Sequence, residues 1–364
     1  MSQPHAIFFV VDEELADLAG AAALQMSSLW DCDFHIFVER RDPACTLREI
    51  GGGRIRYHYD RLARFLPAGL PEFGRWPRIV YLRLFAPQLL TGYRRVLYLD
   101  ADTLAFEGDP AIWDVPLPSG LGAVDDLGLV ATGPEGCDRA AWLRGIGVTS
   151  GRYANSGVLL IDPALWVGTD FAAALSRFFA AFPGASYPDQ DFLAHHFDGR
   201  WTPLSPRFNW QGVIMHLGLT RAIRPVFGHF NTAVRPWQGQ IASWMDRNDP
   251  AYIGLYARVL RQAGLRPDRY RPALRLVPLR ALKHAGWRWM GQRGWFVPRE
   301  DGRRADWWDE HRALRAHIET GLAEGRFAAE PRRAIDVAPP RLFWDGRFVR
   351  VAGDMPEADP LARQ

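Results

Sequence analysis

The chain begins with an unbroken run of six apolar residues, from Ala6 to Val11. A strand without alternating polar and apolar positions is buried on both faces, which is typical of a parallel sheet covered by helices. Further strands are predicted at 34–38, 95–99 and 157–161, and helices between them at 13–28, 79–90 and 171–182. This alternation over about the first 200 residues favours an α/β fold with a sheet of parallel character.

Composition excludes several other classes of protein. The 364 residues are 48% hydrophobic and 23% charged, as in a folded globular protein of the size of an enzyme. The longest uncharged stretches have 13 residues, whereas a membrane-spanning helix needs about 20. The first apolar run has no basic flank and meets acidic residues at once, so it does not predict a signal peptide. Three scattered cysteines, Cys32, Cys45 and Cys137, form neither a disulfide framework nor a zinc cluster, which favours a reducing, cytoplasmic location.

Charge is distributed unevenly along the chain. The formal net charge is +3, yet Arg258 to Arg304 contain 13 Lys or Arg and only three Asp or Glu. The rest of the chain is therefore net negative. Arginines and the tryptophans 287, 289 and 295 are interleaved in the segment 269–304. We predict a domain over 1–264 and a C-terminal extension over 265–364, made of this basic segment, a helix over 306–325 and a hairpin over 341–350.

Two interpretations of the basic segment remain open. It is either a solvated arginine-rich face packed on the body, or a surface that attaches reversibly to the inner face of an anionic membrane. Tryptophan prefers the headgroup region of a bilayer, which supports the second interpretation. Nucleic acid is not an expected partner, because the body is net negative and contains no recognised binding module.

The first feature with chemical meaning is Asp100-Ala101-Asp102, directly after the predicted strand 95–99. Residues two apart on an extended chain point to the same side. The end of a buried strand is the usual ligand crevice of an open α/β sheet. Two convergent carboxylates there suit a divalent cation bound with phosphate oxygens. The alternative is a strand end with two solvated aspartates.

Four further segments follow a recognisable order around this pair. They lie at 78–87, 152–161, 187–192 and 229–237. With these five motifs the chain resembles glycosyltransferase family 8 over about residues 5–240. That family consists of retaining sugar-nucleotide transferases with a GT-A fold, a Rossmann-like nucleotide-binding sheet with helices on both faces. The order of five motifs carries the resemblance, since each alone is weak.

The resemblance implies a metal site and a site for the nucleotide diphosphate. Asp100, Asp102 and His229 would bind Mn²⁺, a cation that suits mixed carboxylate and imidazole ligands. Asp12, at the end of the first strand, would contact the uridine. Arg235 stands at the position of a family lysine that neutralises the departing phosphate, and it keeps that charge.

The resemblance also implies which side chains surround the transferred sugar. The residues expected around the donor sugar are Arg83, Asn155, Asp189 and Gln190. Gln190 and Asp189 are the expected catalytic residues, with the Gln190 amide on the far face of the sugar, and Asp125 would line the acceptor side.

Two positions depart from the family pattern. An aromatic residue that stacks on uracil is replaced by Leu15, and a glycine close to the diphosphate is replaced by Thr232. Neither change removes an expected metal ligand or a residue of the sugar side.

We therefore expect a cytoplasmic retaining glycosyltransferase that uses Mn²⁺ and a UDP-sugar. It would move a hexose, galactose or glucose, from the UDP-hexose to a saccharide or lipid-linked saccharide acceptor, such as lipopolysaccharide or another surface glycan. One alternative is a metal-dependent UDP-sugar hydrolase. Another is a degenerate sugar-nucleotide-binding or scaffold protein, which the two departures keep open and the intact metal and sugar residues disfavour.

Overall fold

The protein is described by a computed structural model over residues 4–72, 77–213, 224–231, 235–238, 250–270, 297–298, 304–305 and 307–329. The strands are β1 (His5–Asp12), β2 (Asp33–Glu39), β3 (Ile55–Tyr59), β4 (Arg95–Leu99), β5 (Thr103–Ala105), β6 (Leu121–Asp125), β7 (Ala154–Ile161), β8 (Thr202–Pro203), β9 (Trp210–Gln211), β10 (Phe227–His229), β11 (Val297–Pro298) and β12 (Arg304–Ala305). The α-helices are α1 (Ala16–Met26), α2 (Arg139–Gly145), α3 (Pro163–Trp166), α4 (Phe171–Ala181), α5 (Pro188–His196), α6 (Pro250–Gln262) and α7 (Trp307–Ala323).

Seven strands form the central sheet in the order β3-β2-β1-β4-β7-β6-β8. A second sheet has the order β5-β10-β9, and β11 pairs with β12. Side chains of β1 alternate between two cores. Ile7 and Phe9 pack with α1 in one apolar cluster, whereas Phe8 packs with residues of α4 and α5 in the other. Both faces of the sheet are therefore covered, which confirms the α/β fold expected from the unbroken apolar run.

The sheet departs from the expected parallel character at one strand. The pairs β1–β2, β1–β4, β2–β3 and β6–β8 are parallel, but β7 is antiparallel to both β4 and β6. The periodicity of an apolar strand does not encode its direction, so the sequence could not predict this reversal. Its consequence is functional, because the first residues of β7 lie beside the carboxyl end of β4.

The predicted helix at 79–90 is replaced by two successive 3-10 helices, Arg78–Leu84 and Ala86–Leu89. Pro87 lies near the start of the second. A proline has no N–H to donate, and its ring clashes with the carbonyl group four residues earlier, so an α-helix cannot continue through it. The break is local, and the side chains of this segment from Val80 to Leu84 are still buried.

The chain beyond residue 265 reaches the central core. Leu314 and Ile318 of α7 belong to the same apolar cluster as Ile7 and Phe9. Ala328, shortly after α7, forms a parallel bridge with Leu204 next to β8. The domain boundary near 265 remains a prediction. Most of the basic segment 269–304 and the whole predicted hairpin at 341–350 lie outside the described residues.

The helix predicted over 306–325 corresponds to α7. Among the helices in the described parts of the chain, a candidate for crossing a bilayer is absent, since none combines the required length with the required apolarity.

Candidate functional site

A tight turn between β4 and β5 brings the two aspartates of the Asp100-Ala101-Asp102 motif together. Thr103 N donates to Asp100 O at 3.1 Å and closes the turn. The expected proximity of the two carboxylates is observed, but its cause is this turn and not an extended backbone. Pairing of β5 with β10 places His229 opposite Thr103, and Phe230 N donates to Asp102 O at 2.9 Å. A long-range strand pair thus carries the histidine to the aspartates.

Asp100, Asp102 and His229 form a compact cluster. One ligand atom from each lies within 4.8 Å of the others. His229 Nε2 is 3.2 Å from Asp102 Oδ1 and 3.6 Å from Asp100 Oδ2. Asp102 Oδ1 is buried and accepts no hydrogen bond from the described residues. A buried carboxylate oxygen without a donor is costly unless a cation compensates it, so this atom fits a metal ligand.

The tautomer of His229 also fits metal binding. Asn209 Nδ2 donates to Asn155 Oδ1 at 2.8 Å, which directs Asn209 Oδ1 to His229 Nδ1 at 2.9 Å. An amide oxygen only accepts, so Nδ1 carries a proton, and Nε2 is the ring nitrogen that faces the aspartates. A hydrogen bond to the second ring nitrogen is the usual way in which a metal-binding histidine is oriented.

Arg235 sets the charge state of Asp102. Burial alone would favour the neutral acid, but the Arg235 guanidinium and His229 outweigh it and hold the pKa of the Asp102 carboxyl well below its usual range. Arg235 Nη1 is 2.5 Å from Asp102 Oδ2 and also donates to the carbonyl oxygen of Phe230. The carboxylate is therefore ionised at neutral pH, as a cation ligand must be.

Gly157 has no side chain, and the side chains of Asp100 and His229 occupy the space beside it. A Cβ at this position would press on the imidazole of His229, 2.8 Å from Nε2, and would lie 2.9 Å from Asp100 Oδ2. Gly157 O also accepts from Asp100 N at 2.9 Å across the β4–β7 pair. The two carboxylates, the imidazole and the space at Gly157 thus fit a divalent cation.

A second polar cluster lies where α5 begins. Gln190 Oε1 accepts from Ser156 N at 3.0 Å, and Gln190 Nε2 donates to Asp126 Oδ2 at 2.8 Å. Asn155 Nδ2 donates to the same Asp126 oxygen at 3.1 Å. These bonds fix both amides in one orientation. Asp189 and Gln190 are buried, at 5% and 8% exposure, so their positions are determined by packing as well as by hydrogen bonds.

Arg83 joins the two clusters. Its Nη1 is 3.1 Å from Asp100 Oδ1 and 3.4 Å from Asp189 Oδ2, and it donates to the carbonyl oxygen of Ser156 at 3.1 Å. The guanidinium lies over the Tyr98 ring at 4.6 Å, and Tyr98 Oη donates to Asp100 Oδ1 at 2.5 Å. Burial disfavours the charged form of Arg83, but the carboxylates of Asp100 and Asp189 outweigh this effect and raise the pKa of the guanidinium. Arg83 is therefore a fixed positive charge between two clusters. One consists of Asp100, Asp102 and His229, and the other, the Gln190 cluster, consists of Gln190, Asp189, Asn155 and Asp126.

The other expected site residues lie around these clusters. Asp12 ends β1, and its Oδ1 accepts from Glu14 N and Leu15 N, both at 3.1 Å, just before α1. Leu15 is 38% exposed beside it. Asp125 ends β6, one residue before Asp126. Thr232 lies outside the described residues.

Several residues of the site were not predicted from the sequence. Asp126, Asn209, Ser156 and Tyr98 each form a hydrogen bond described above. Asp126 was visible as the second member of the Asp125-Asp126 pair, whereas Asn209, between Phe208 and Trp210, had no pattern that distinguished it from an ordinary turn residue.

Comparison with known proteins gives one family. Residues 62–240 match the family described as glycosyl transferase family 8. General stress protein A of Bacillus subtilis is 29% identical over 157 residues, which cover 40% of this chain and 49% of that protein. The chain thus spans about half the length of this curated relative.

Solved structures share the fold over most of the chain. Galactosyltransferase LgtC in complex with donor and acceptor sugar analogs is 27% identical, with a TM-score of 0.53 over 71% of this chain and 95% of that one. An active-site mutant of LgtC is 24% identical, with a TM-score of 0.55 and the same coverage. The bifunctional glycosyltransferase WbbM is 17% identical with a TM-score of 0.51, covers 74% of this chain and 52% of that one, and supports the fold alone.

The sheet with helices on both faces, the paired aspartates after β4, and the match over 62–240 agree with one another. Residues 62–240 match glycosyl transferase family 8, and the chain shares the GT-A fold of the LgtC structures.

Proposed function

We propose that the protein is a retaining, Mn²⁺-dependent glycosyltransferase that moves a hexose, galactose or glucose, from a UDP-sugar to a saccharide acceptor. The proposal rests on one observation, which is that Arg83 connects two polar clusters at one edge of the sheet. One cluster has the ligand types of a divalent cation site, and the other presents amides and carboxylates suited to sugar hydroxyls. LgtC, which shares this fold, is a galactosyltransferase whose structure holds donor and acceptor sugar analogs.

In this proposal Asp100, Asp102 and His229 hold Mn²⁺ together with the diphosphate of the donor. The bound cation supplies positive charge that stabilises the UDP leaving group as the anomeric bond breaks. Arg235, with 30% of its side chain exposed and paired with Asp102, adds a protein charge on the same side. Asp12, at the carboxyl end of β1, contacts the uridine.

The Gln190 cluster holds the sugar in the same proposal. Arg83, Asn155, Asp189 and Gln190 surround the donor hexose, with Gln190 and Asp189 nearest to the reacting carbon. The amide of Gln190 is oriented by Ser156 N and Asp126, so little reorganisation is needed when the sugar becomes oxocarbenium-like. Asp125 lies on the acceptor side.

The proposed destination of the sugar is a surface glycan such as lipopolysaccharide, made in the cytoplasm on a lipid-linked acceptor. The 13 Lys or Arg between Arg258 and Arg304, most of them in the basic segment 269–304, support attachment to an anionic membrane surface. Helix α6 packs Tyr252 and Leu255 in the core and ends at Gln262, so the basic segment follows closely on the catalytic body.

We expect the protein with Mn²⁺ to release UDP from one of UDP-galactose and UDP-glucose, and an added glycan to accelerate that release. Binding of donor and acceptor in one site gives this acceleration, because the acceptor hydroxyl replaces water. The measurement is UDP release with a panel of UDP-sugars, with and without acceptor glycans.

Each alternative gives a different result in the same assay. A hydrolase releases UDP at a rate that no glycan changes, and a binding or scaffold protein binds UDP-sugar without release. A glycan-independent rate across the panel would therefore contradict the transferase proposal.

Asp102→Asn should reduce turnover by about a hundredfold or more and should abolish Mn²⁺-dependent UDP binding, because the variant lacks a charged metal ligand. Calorimetric titration of UDP with and without Mn²⁺ measures the binding. The control is Asp31→Asn, which changes an aspartate with 80% of its side chain exposed and should bind as the original protein does. Near-normal Mn²⁺-dependent binding by Asp102→Asn would mean that the metal is held elsewhere.

Gly157→Ala should also remove Mn²⁺-dependent UDP binding, because the added methyl group displaces His229 and Asp100 without changing any ligand. The matched control is Gly145→Ala, at the end of α2, where a Cβ would meet no atom within 4 Å. Circular dichroism shows whether both variants keep the fold. If Gly157→Ala folds and binds Mn²⁺ and UDP as tightly as Gly145→Ala, the proposed cluster is not the metal site.

Vesicle co-sedimentation tests membrane attachment. The full chain should bind vesicles with anionic lipid more than neutral vesicles, and binding should weaken as salt rises because screening shortens the reach of charge. A chain in which the arginines between 271 and 304 are replaced by Gln should lose this preference and still keep Leu314 and Ile318 of α7 for the core. Equal binding of both chains, or equal binding to anionic and neutral vesicles, would show that the segment is a solvated face of the body.

A further inference from the structure

Helix α7 carries a polar side chain to the edge of the site. Leu314 and Ile318 anchor the helix in the core cluster that also contains Val124 of β6. Between them, His317 Nε2 lies 3.2 Å from Asp125 Oδ2. This contact joins residues 192 positions apart in sequence, so only the packing of α7 creates it.

Hydrogen bonds to the backbone fix the segments that carry Asp125 and His317. Gln211 Nε2 donates to Asp125 O at 2.9 Å, and Gln211 Oε1 accepts from Leu127 N at 3.0 Å. After α7, Ala328 N donates to Pro203 O at 2.8 Å and so ties the chain to the end of β8. The histidine and the aspartate therefore face each other across two fixed segments.

The hydrogen bond sets the chemistry of the His317 ring. A carboxylate only accepts, so Nε2 carries a proton, and in the neutral form of the ring Nδ1 presents a lone pair. Within the part of the chain that the structure describes, Nδ1 has no hydrogen-bond partner. The side chains of His317 and Asp125 are 23% and 15% exposed, so the pair reaches solvent. The pair thus offers an oriented acceptor to a ligand.

The position of the pair indicates which ligand. Along the edge of the central sheet, the strand order β1, β4, β7, β6 places Asp12, Asp100, Asn155 and Asp125 in sequence, with neighbouring strands about 4.8 Å apart. If the proposed function holds, this order runs from nucleotide to metal to sugar. The saccharide acceptor would then bind beyond the donor sugar, next to Asp125.

We infer that His317 is an acceptor-binding residue, whose Nδ1 accepts a hydrogen bond from a hydroxyl group of the saccharide acceptor while Asp125 orients the ring. The inference rests on the proposed function and adds to it a residue outside the region of the family match, 62–240.

Two substitutions separate binding of the acceptor from tethering of α7. His317→Gln keeps a donor near the Nε2 position for Asp125 and removes the acceptor at the Nδ1 position, whereas His317→Asn does the reverse. The probes are methyl glycosides of galactose, glucose and N-acetylglucosamine, used with UDP-hexose and Mn²⁺. The readouts are KM and kcat for the glycoside and the melting temperature. Thr320→Ala, on an exposed position of the same helix, is the matched control.

We expect His317→Gln to raise KM for the glycoside about tenfold with a much smaller change in kcat, the effect of one lost hydrogen bond. Thr320→Ala should stay within about threefold of the original KM, whereas His317→Asn, which keeps an acceptor but loses its orientation by Asp125, should raise KM by a smaller factor than His317→Gln does. An unchanged KM in His317→Gln, or a loss of activity that follows the melting temperature in both His317 variants, would overturn the inference and leave His317 a structural tether. If no glycoside accelerates UDP release by the unchanged protein, the proposed function itself fails and the inference fails with it.

Discussion

The antiparallel pairing of β4 with β7 determines where the polar groups of this protein lie. Asp100 N donates to Gly157 O, so the carboxyl end of β4 and the start of β7 are held side by side. Asp100 belongs to the first strand end, while Asn155 and Ser156 belong to the second. In a fully parallel sheet the start of β7 would lie at the opposite edge, and the two polar clusters could not meet. One reversed strand thus creates the site.

A series of hydrogen bonds, in which each residue donates to the next, also connects the two clusters. His229 donates to Asn209, Asn209 donates to Asn155, and Asn155 donates to Asp126. Each amide both donates and accepts, so the chain has a single consistent orientation that ends on a carboxylate. Leaving one buried member without its partner costs about 1–3 kcal/mol. The amides therefore transmit geometry from the Gln190 cluster to the histidine without adding charge.

Charge balance explains why so many acidic groups tolerate one another. Asp100, Asp102 and Asp189 lie close together, and burial raises the pKa of the Asp189 carboxyl. Arg83 and Arg235 each pair with this acidic group from a different side, through Asp100 with Asp189 and through Asp102 respectively. Two fixed guanidinium groups reduce the repulsion while the cluster still presents ionised oxygen ligands. A cation bound there would complete the balance.

The amino-acid sequence by itself determined the class of the fold and predicted most of the residues that the structure brings together in the two polar clusters. Unbroken apolar runs specify strands buried on both faces, and aspartates directly after such a run lie at a strand end, because these features depend on local periodicity. The family pattern added Arg83, Asn155, Asp189, Gln190 and His229 as candidate partners. Only the tertiary structure decided the direction of β7, the turn that converges Asp100 and Asp102, and the contact of His317 with Asp125. These depend on which strands and helices pack together over long sequence separations, and that choice is made by the free energy of the whole core and not by any local stretch.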